Sequence, residues 1–381
     1  MKVYKFGGAV LNKVSGFHQL KSILQQETSK VILVVSALEK TTAKLLQAAQ
    51  QAEHNNEADA IAIIDSIIDY HLQICLQLFP NSKNYGHIVS LIANKKKNLL
   101  NIIKGIAITR ELTPRTQDLV LSYGEVLAYN IVEVFLSEYL HSVIKCDITN
   151  ILITDSNYGN AKPDINRTRA NVRNTLIPLF QQYEIIVTQG FVASNNENEI
   201  TTMGYESSNL TATILAGLMD AEEFVIWTDT EGIRLADPKL YDGKNNAVAN
   251  RISYELAEYL ADNGLKLIHP PMIRYLREFN INVKYKSAFA PDGEYSIIEA
   301  NGDNIPYKFI LNNDNTNCMV IMNFEIADYL HFYNAIAEHT FSLISSYTNY
   351  IDNTAKIVYL ADNNAILRFT IEFFLDTIEH F

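Results

Sequence analysis

The feature that most limits the fold of this chain is a run of five apolar residues, Val31-Ile32-Leu33-Val34-Val35. A run that is rich in β-branched residues and shows no alternation is typical of a strand buried on both faces of a parallel sheet. Comparable runs end on glycine or polar residues at Lys2–Phe6, Ile185–Gln189 and Phe224–Asp229. Because a helix is predicted at Asn209–Leu218, between the last two runs, the pattern predicts a doubly wound α/β domain.

Two other regions depart from this alternation. Residues from about 40 to 115 are rich in Gln, Ala, Leu and Ile with helical periodicity, which predicts a helical insertion. A polar, turn-rich segment at 300–307 predicts a boundary between a domain of residues 1–300 and a small α+β module of residues 307–381. Within that module the predicted elements are strands at Met319–Met322, Ala355–Leu360 and Ile366–Ile371 and a helix at Tyr329–Thr340.

Composition narrows the class of protein. The 381 residues carry a net charge of −12, which disfavours binding to nucleic acid or to anionic membranes. The three cysteines, Cys75, Cys146 and Cys318, are far apart and have no metal-ligand spacing, so we expect no protein metal site and a reducing compartment. No signal region follows Met1, and no apolar run approaches the length of a membrane span, so a cytoplasmic protein is expected.

The first polar turn after a predicted strand is Lys5-Phe6-Gly7-Gly8. Two glycines let backbone N–H groups approach a phosphate without interference from a Cβ atom. A lysine just before them can place its ammonium against a transferred phosphoryl group. Taken alone, the same residues fit an ordinary turn with a surface lysine, so the hypothesis depends on the segments further along the chain.

Further polar segments each allow two interpretations. In Val34–Thr42 the hydroxyls could hold a substrate or phosphate, or Thr41 or Thr42 could simply cap a helix. In Ser122–Glu125 the carboxylate of Glu125 could bind a substrate ammonium group, or it could complement the helix dipole in the first turn of a helix. Thr201–Asn209 is either an anion site at a helix start or a turn in which Ser208 or Asn209 caps the helix. The last two segments are residues 227–239 and 264–270. Taken by itself, His269 in the second of these indicates a core or capping histidine.

Together and in order, these segments resemble aspartate kinases of the amino-acid kinase family. That family shows the patterns K-F-G-G-[TA]-S, V-V-S-A-M-G-K-T-T, S-x-G-E, T-T-L-G-R-G-G-S-D, T-D-V-D-G-V-Y-T-A-D-P-R and G-A-K-V-x-H-P. The resemblance covers about residues 1 to 300, and the tail from residue 307 resembles a single ACT module, where typical members carry two. It implies an amino-acid kinase fold with a mostly parallel central sheet flanked by helices, and a homodimer formed through the ACT-like region.

The resemblance also implies an activity and a set of site residues. The activity is ATP-dependent phosphorylation of the β-carboxylate of L-aspartate with Mg²⁺, the first step toward lysine, threonine and methionine. Lys5 and the Asn209 position would be catalytic. The nucleotide would be bound by Gly7, Gly8, Thr228, Asp229, Arg234, Lys239 and Lys266, and the amino acid by Ser36, Thr42, Glu125, Tyr205 and Ser208.

Departures from the family pattern fall on the amino-acid side. The family has Arg where this chain has Tyr205. That Arg makes a bidentate contact to the substrate α-carboxylate, which tyrosine cannot reproduce. The family Asp is Asn209 here, and the glycine of S-A-M-G-K-T-T is Glu39. Three hypotheses result: a working or weakened aspartate kinase, a relative that phosphorylates another small acid, or a non-catalytic subunit that binds nucleotide or amino acid and regulates a true kinase.

Overall fold

The chain divides into two structural units, Met1–Asp229 and Thr230–Phe381. The computed structural model describes residues 1–80, 82–238, 243, 246–265, 267–302, 309–313, 318–325, 342–349 and 354–360.

Parallel strands form the centre of the first unit. Its strands are β1 (Lys2–Phe6), β2 (Val31–Val35), β3 (Val143–Lys145), β4 (Ile185–Gln189), β5 (Val192–Ser194), β6 (Ile200–Thr202) and β7 (Glu223–Thr228). The order β3-β4-β2-β1-β7 is parallel throughout, while β5 and β6 form an antiparallel pair. Every residue of β2 and β4 is buried, as their unbroken apolar runs predict. The predicted doubly wound sheet and its strands are therefore confirmed.

Strand register brings the ends of the central strands together. Phe6 pairs with Val35 and with Trp227, and Val35 pairs with Gln189. Because these strands are parallel, their carboxyl ends lie along one edge of the sheet, and the turns that come after them lie there too. Strand β1 has β2 on one side and β7 on the other, so the order in which strands are added to the sheet reverses at β1. Open α/β sheets bind ligands at such a point, beyond the carboxyl ends of the strands.

Helices cover this sheet and build the predicted insertion. The helices of the first unit are α1 (Gly8–Leu11), α2 (Val14–Gln25), α3 (Thr41–Glu53), α4 (Glu57–Leu78), α5 (Asn84–Thr109), α6 (Pro114–Leu121), α7 (Tyr123–Tyr139), α8 (Ile165–Leu179) and α9 (Ser208–Leu218). Helices α3, α4 and α5 pack on one another. In α3 the buried residues Leu45, Ala48, Ala49 and Ala52 recur at helical spacing, so one apolar stripe faces its neighbours. The helical character of residues 40 to 115 is confirmed.

Two helical stretches, Glu57–Leu78 and Pro114–Tyr139, are long and apolar enough by length and composition to cross a membrane. This differs from the expectation that no run approaches that length. In the structure α4 packs against α3 and α5, and 78% of the most apolar window of the second stretch is buried. Both stretches pack against other helices of the first unit.

The second unit contains two sets of paired strands. Its first elements are β8 (Arg251–Ser253), α10 (Tyr254–Asp262), α11 (Pro270–Phe279), β9 (Val283–Ser287) and β10 (Ser296–Glu299). Strand β10 runs parallel to β8 and antiparallel to β9. The remaining strands, β11 (Ile310–Asn313), β12 (Cys318–Glu325), β13 (Ser342–Asn349) and β14 (Thr354–Leu360), form an antiparallel sheet in the order β11-β12-β14-β13.

Only part of the expected C-terminal module can be compared with this sheet. The strands predicted at Met319–Met322 and Ala355–Leu360 lie within β12 and β14 and are confirmed. The predicted helix at Tyr329–Thr340 and strand at Ile366–Ile371 lie outside the described residues. The ACT-like assignment and the boundary near residue 300 therefore stay predictions.

Candidate functional site

The turn after β1 is shaped by a close approach of two chain segments. Gly8 begins α1, and a Cβ atom there would lie 2.4 Å from the carbonyl oxygen of Ala37. Only glycine fits at that position, because backbone oxygen cannot move away as a flexible side chain could. A Cβ on Gly7 would lie 3.4 Å from Nζ of Lys5, so the lysine ammonium lies directly beside the turn, as the sequence predicts.

The ammonium of Lys5 shares its surroundings with two carboxyl groups. Burial lowers the pKa of Lys5 to about 8, while the negative charges of Glu206 and Glu125 act in the opposite direction. Burial likewise raises the pKa of Glu125 to about 8, against hydrogen bonds from the N–H groups of Ala37 and of Glu125 itself and the charge of Lys5. Two oppositely charged groups with pKa values displaced toward each other are characteristic of a reactive site.

Glu125 is brought into this site by the packing of α7. A Cβ on Gly124 would lie 2.9 Å from Cβ of Ala37 and 3.5 Å from Oγ1 of Thr42, so glycine lets the helix start touch the segment after β2. The N–H of Ala37 donates to Oε1 of Glu125 at 3.2 Å. The Oε2 atom is buried and has no hydrogen-bond partner in the described part of the chain. Glu125 is a first-turn acid as well, yet its burial makes it a candidate for holding a ligand cation.

This pair predicts the pH dependence of the site. Glu125 is ionised above its raised pKa and Lys5 is protonated below its lowered pKa, so kcat/KM should rise toward about pH 8 and fall above it. The two limbs belong to the coupled pair. In Glu125→Gln the acid limb should disappear, and the alkaline limb should move to lower pH because Lys5 loses an anion that raises its pKa. An alkaline limb unmoved in kcat/KM measured from pH 6 to 10 would contradict this coupling.

The opposite wall of the site is the start of α9. A Cβ on Gly190, directly after β4, would lie 2.5 Å from Cβ of Ser208, so the helix start and the strand end touch. The capping residue is Ser207, without a side-chain bond to the helix, so capping by Ser208 or Asn209 is wrong. Its Oγ is fully buried and has no hydrogen-bond partner within the described residues. A helix start with an uncommitted buried hydroxyl suits an anionic ligand.

Both turns that face this edge contain a glutamate in the left-handed backbone region. Glu39, in the segment after β2, has φ 49°, and Glu206, before α9, has φ 63°. Non-glycine residues are uncommon there and cost about 1–3 kcal/mol where they occur. The family pattern has glycine at both positions, which is the residue that this backbone geometry favours. Glu39 lies 3.5 Å from Nζ of Lys44, across the first turn of α3.

The other predicted acceptor-side residues lie along the same edge. The N–H of Ser36 donates to the carbonyl of Phe6 at 3.2 Å, which ties β2 to the end of β1. Neither Thr41 nor Thr42 caps α3: the cap position is Lys40, and the Thr41 hydroxyl donates to the Leu38 carbonyl at 2.6 Å. Ser208 and Asn209 are buried in the first turn of α9, whereas Tyr205 is 60% exposed.

The predicted nucleotide residues are only partly described. Thr228 is buried at the end of β7, and Asp229 comes next, exposed. In the second unit, Arg234 donates to the Asn246 carbonyl at 2.7 Å and to Glu231 at 3.2 Å, which braces its own loop. Lys239 and Lys266 lie outside the described residues. The nucleotide-binding role of these residues remains a prediction.

Sequence reasoning missed Glu206, Ser207 and the close approach at Gly190. A signal for Glu206 was present, because the pattern T-T-L-G-R-G-G-S-D places a glycine there. The same pattern places a glycine at Ser207 as well, whereas no local signal marks the close approach at Gly190, because that approach is a contact between distant segments.

Comparison with known proteins agrees with this geometry. The sequence pattern of the amino acid kinase family matches residues 1–284. A bifunctional aspartokinase/homoserine dehydrogenase of Buchnera aphidicola is 28% identical over 287 residues, 74% of this chain and 34% of that protein. Aspartokinase 3, chloroplastic, of Arabidopsis thaliana is 28% identical over 307 residues, 79% of this chain and 53% of that protein. The chain thus spans between a third and about half of these relatives.

A solved structure has the same fold. E. coli aspartokinase III in complex with aspartate and ADP aligns with a TM-score of 0.74 at 21% identity, covering 96% of this chain and 82% of that one. The resemblance to aspartate kinases is confirmed by these comparisons, and the kinase family implies use of a nucleotide. With its parallel sheet, its glycine turn beside Lys5 and a family pattern that extends over residues 1–284, the chain belongs to the amino acid kinase family.

Proposed function

We propose that this protein transfers the γ-phosphoryl group of ATP to the β-carboxylate of L-aspartate, giving 4-phospho-L-aspartate, at a reduced rate. The observation that carries the proposal is the buried pair of Lys5 and Glu125 beside the glycine turn after β1. Support comes from the curated relatives named aspartokinases and from the fold shared with E. coli aspartokinase III. The product would be the first intermediate toward lysine, threonine and methionine.

Each residue of the site has a role in this reaction. The Lys5 ammonium offsets negative charge on the phosphoryl group as it is transferred. Backbone N–H groups at Gly7 and Gly8 approach the phosphates, and the start of α9 adds the positive end of its dipole. Glu125, once ionised, binds the acceptor ammonium. The acceptor carboxylate is then held against the phosphorus, which lowers the barrier through orientation.

Mg²⁺ would enter this site with ATP. Among the described residues, no three His, Cys, Asp or Glu side chains come close enough to form a metal site. That fits an ion held mainly by phosphate oxygens and water, which is how Mg²⁺ commonly binds at kinase sites. When bound, it neutralises phosphate charge. The protein groups that remain for orientation are Lys5, the glycine turn and the start of α9.

Three substitutions relative to the family support a reduced rate. Tyr205 offers no bidentate cation for the α-carboxylate. Asn209 keeps the shape of an aspartate without its charge. Glu39 adds a negative charge to a turn near the phosphates.

We also propose a cytoplasmic homodimer formed through residues 307–381. Light scattering of the purified chain tests the dimer.

A coupled assay of ADP release tests the activity. With ATP and Mg²⁺, we expect release to depend on L-aspartate and to saturate with it. Release that does not respond to aspartate, in a protein that still binds ATP by calorimetry, would rule out the aspartate kinase reaction and leave a binding subunit.

A further inference from the structure

Asp118 is a fully buried carboxylate to which the proposed reaction gives no role. It lies on α6, and its side chain accepts hydrogen bonds from two other segments of the chain. Oδ2 accepts from the N–H of Thr202 at 2.8 Å and from the N–H of Gly159 at 2.9 Å, and Oδ1 accepts from the Thr202 hydroxyl at 2.7 Å. Burial raises the pKa of Asp118, against these bonds from Thr202 and Gly159, so the ionised carboxylate depends on them.

The three donors to Asp118 are neutral groups, although cations are close in the sequence. Arg115, almost one turn earlier on α6, pairs with Glu199 at 2.9 Å and is largely exposed. Lys162, near Gly159 in the sequence, is also exposed. A buried anion that is satisfied by neutral donors holds them in a fixed arrangement, because the loss of any one leaves the charge less well satisfied. Asp118 therefore fixes the positions of the segments that donate to it.

One of these segments leads directly to the start of α9. Thr202 is the last residue of β6, six residues before α9 begins. Its N–H and hydroxyl donate to Asp118, and its carbonyl accepts from the N–H of Ala161 at 2.9 Å. Two residues later, a Cβ atom on Gly204 would lie 3.9 Å from the carbonyl oxygen of Gly159. Both segments that Asp118 holds therefore border the turn before α9.

Asp118 is also fixed relative to Glu125. The N–H of Ser122 donates to the carbonyl of Asp118 at 3.0 Å, and helical hydrogen bonding continues through Ser122 from α6 into α7. Glu125 comes seven residues after Asp118, which is about two helical turns, so the two carboxylates project from the same side. One meets Ala37 after β2, and the other meets Thr202 before α9. The same pair of helices thus contacts both walls of the site.

We infer that Asp118 is a positioning residue, which holds the start of α9 at the distance from Glu125 that acceptor binding and phosphoryl transfer require. It acts through Thr202 and Gly159 and does not touch the acceptor. The inference rests on the proposed function and names a residue on which that function depends. The phosphates of ADP would be held by the glycine turn after β1, which takes no part in the hydrogen bonds of Asp118.

Two matched threonine variants test this role in the full chain. Thr202→Val removes the hydroxyl that donates to Asp118, and Thr168→Val, on α8, removes an equally buried hydroxyl that accepts from the N–H of Ile153 at 3.1 Å. Each variant loses one buried hydrogen bond, so their Tm values should fall by similar amounts. We expect kcat/KM for L-aspartate to fall about tenfold or more in Thr202→Val and to change less than about twofold in Thr168→Val. Equal losses in the two variants would overturn the inference.

Two further variants separate the hydrogen bond from packing. Thr202→Ser keeps the hydroxyl, so kcat/KM should stay within about threefold of wild type, since the alignment of the reacting groups is kept. Asp118→Asn keeps one oxygen for the two N–H groups but cannot accept from the Thr202 hydroxyl with its other atom. Asp118→Asn and Thr202→Val break the same bond, so the double variant should lose no more than the worse single variant. A serine variant as impaired as valine, or additive losses in the double variant, would contradict the inference.

Binding measurements separate this inference from the proposed function. The dissociation constant of L-aspartate, with ADP and Mg²⁺ present, is measured by calorimetry for wild type, Thr202→Val and Thr168→Val. Aspartate binding that is weakened in Thr202→Val alone, in a chain that forms no acyl phosphate, would refute the kinase reaction and support the role of Asp118. Acyl phosphate formed equally well by both variants would do the reverse. A wild-type chain that neither binds aspartate nor forms acyl phosphate would refute both.

Discussion

Lys5→Met should lower acceptor-dependent turnover roughly 10³-fold or more, with little loss of folded protein. A single preorganised cation or donor aimed at the developing charge of a transition state has effects of this size. Methionine fills similar space, and burial already opposes the charge of Lys5, as its lowered pKa indicates. Removal of that charge should therefore leave the free energy of unfolding nearly unchanged or raise it. Steady-state kinetics and urea unfolding measure the two effects.

The matched control is on the same strand. Lys2, at the other end of β1, lies 2.9 Å from Glu27 and 3.1 Å from Glu223. Lys2→Met should leave turnover unchanged and lower stability by at most about 1 kcal/mol, because partly exposed ion pairs contribute little. Equal losses of turnover in the two variants would mean that the strand tolerates neither change, and Lys5 would then have no special part in the reaction.

Gly190→Ala should push the start of α9 away from the end of β4 and lower kcat. The new Cβ would lie 2.5 Å from Cβ and 2.7 Å from Cα of Ser208, and neither atom can give way without moving α9. Strain of this kind costs about 1–3 kcal/mol of stability. A shift of about 1 Å in the start of α9 would reduce kcat by up to about 10²-fold, since transfer depends on the alignment of reacting groups.

Gly105→Ala is the control for this variant. Gly105 lies within α5, exposed, and a Cβ atom added there would have no other part of the described chain within 4 Å. Alanine should raise stability there by about 0.5–1 kcal/mol, because glycine weakens a helix interior, and leave kcat unchanged. Thermal unfolding and kcat of both variants, measured side by side, check the pair. Wild-type kcat in Gly190→Ala would contradict the role given to the start of α9.

Much of the central sheet can be predicted from local sequence. Val31–Val35 and Ile185–Gln189 are unbroken apolar runs, and only a strand covered on both faces can bury every residue of such a run. The glycines after β1 likewise indicate a turn that needs space. Because parallel strands align their ends, the turns that follow them lie along one edge of the sheet.

The rest of the site depends on contacts that no local pattern records. The demand for glycine at Gly190 comes from Ser208, and that at Gly124 from Ala37. Glu206 takes a left-handed backbone conformation that its side chain does not favour, so its own propensity does not indicate it, and only the glycine in the family pattern does. For the same reason the cap of α9 was assigned one or two residues too late.

The most direct test is detection of the acyl phosphate. The full chain is incubated with ATP, Mg²⁺, hydroxylamine and L-aspartate, and the hydroxamate formed is measured against ADP released. We predict acceptor-dependent hydroxamate in equal amount to ADP, abolished in Lys5→Met and retained in Lys2→Met. Hydroxamate from L-aspartate no higher than in Lys5→Met, while ATP still binds by calorimetry, would contradict phosphoryl transfer at this site.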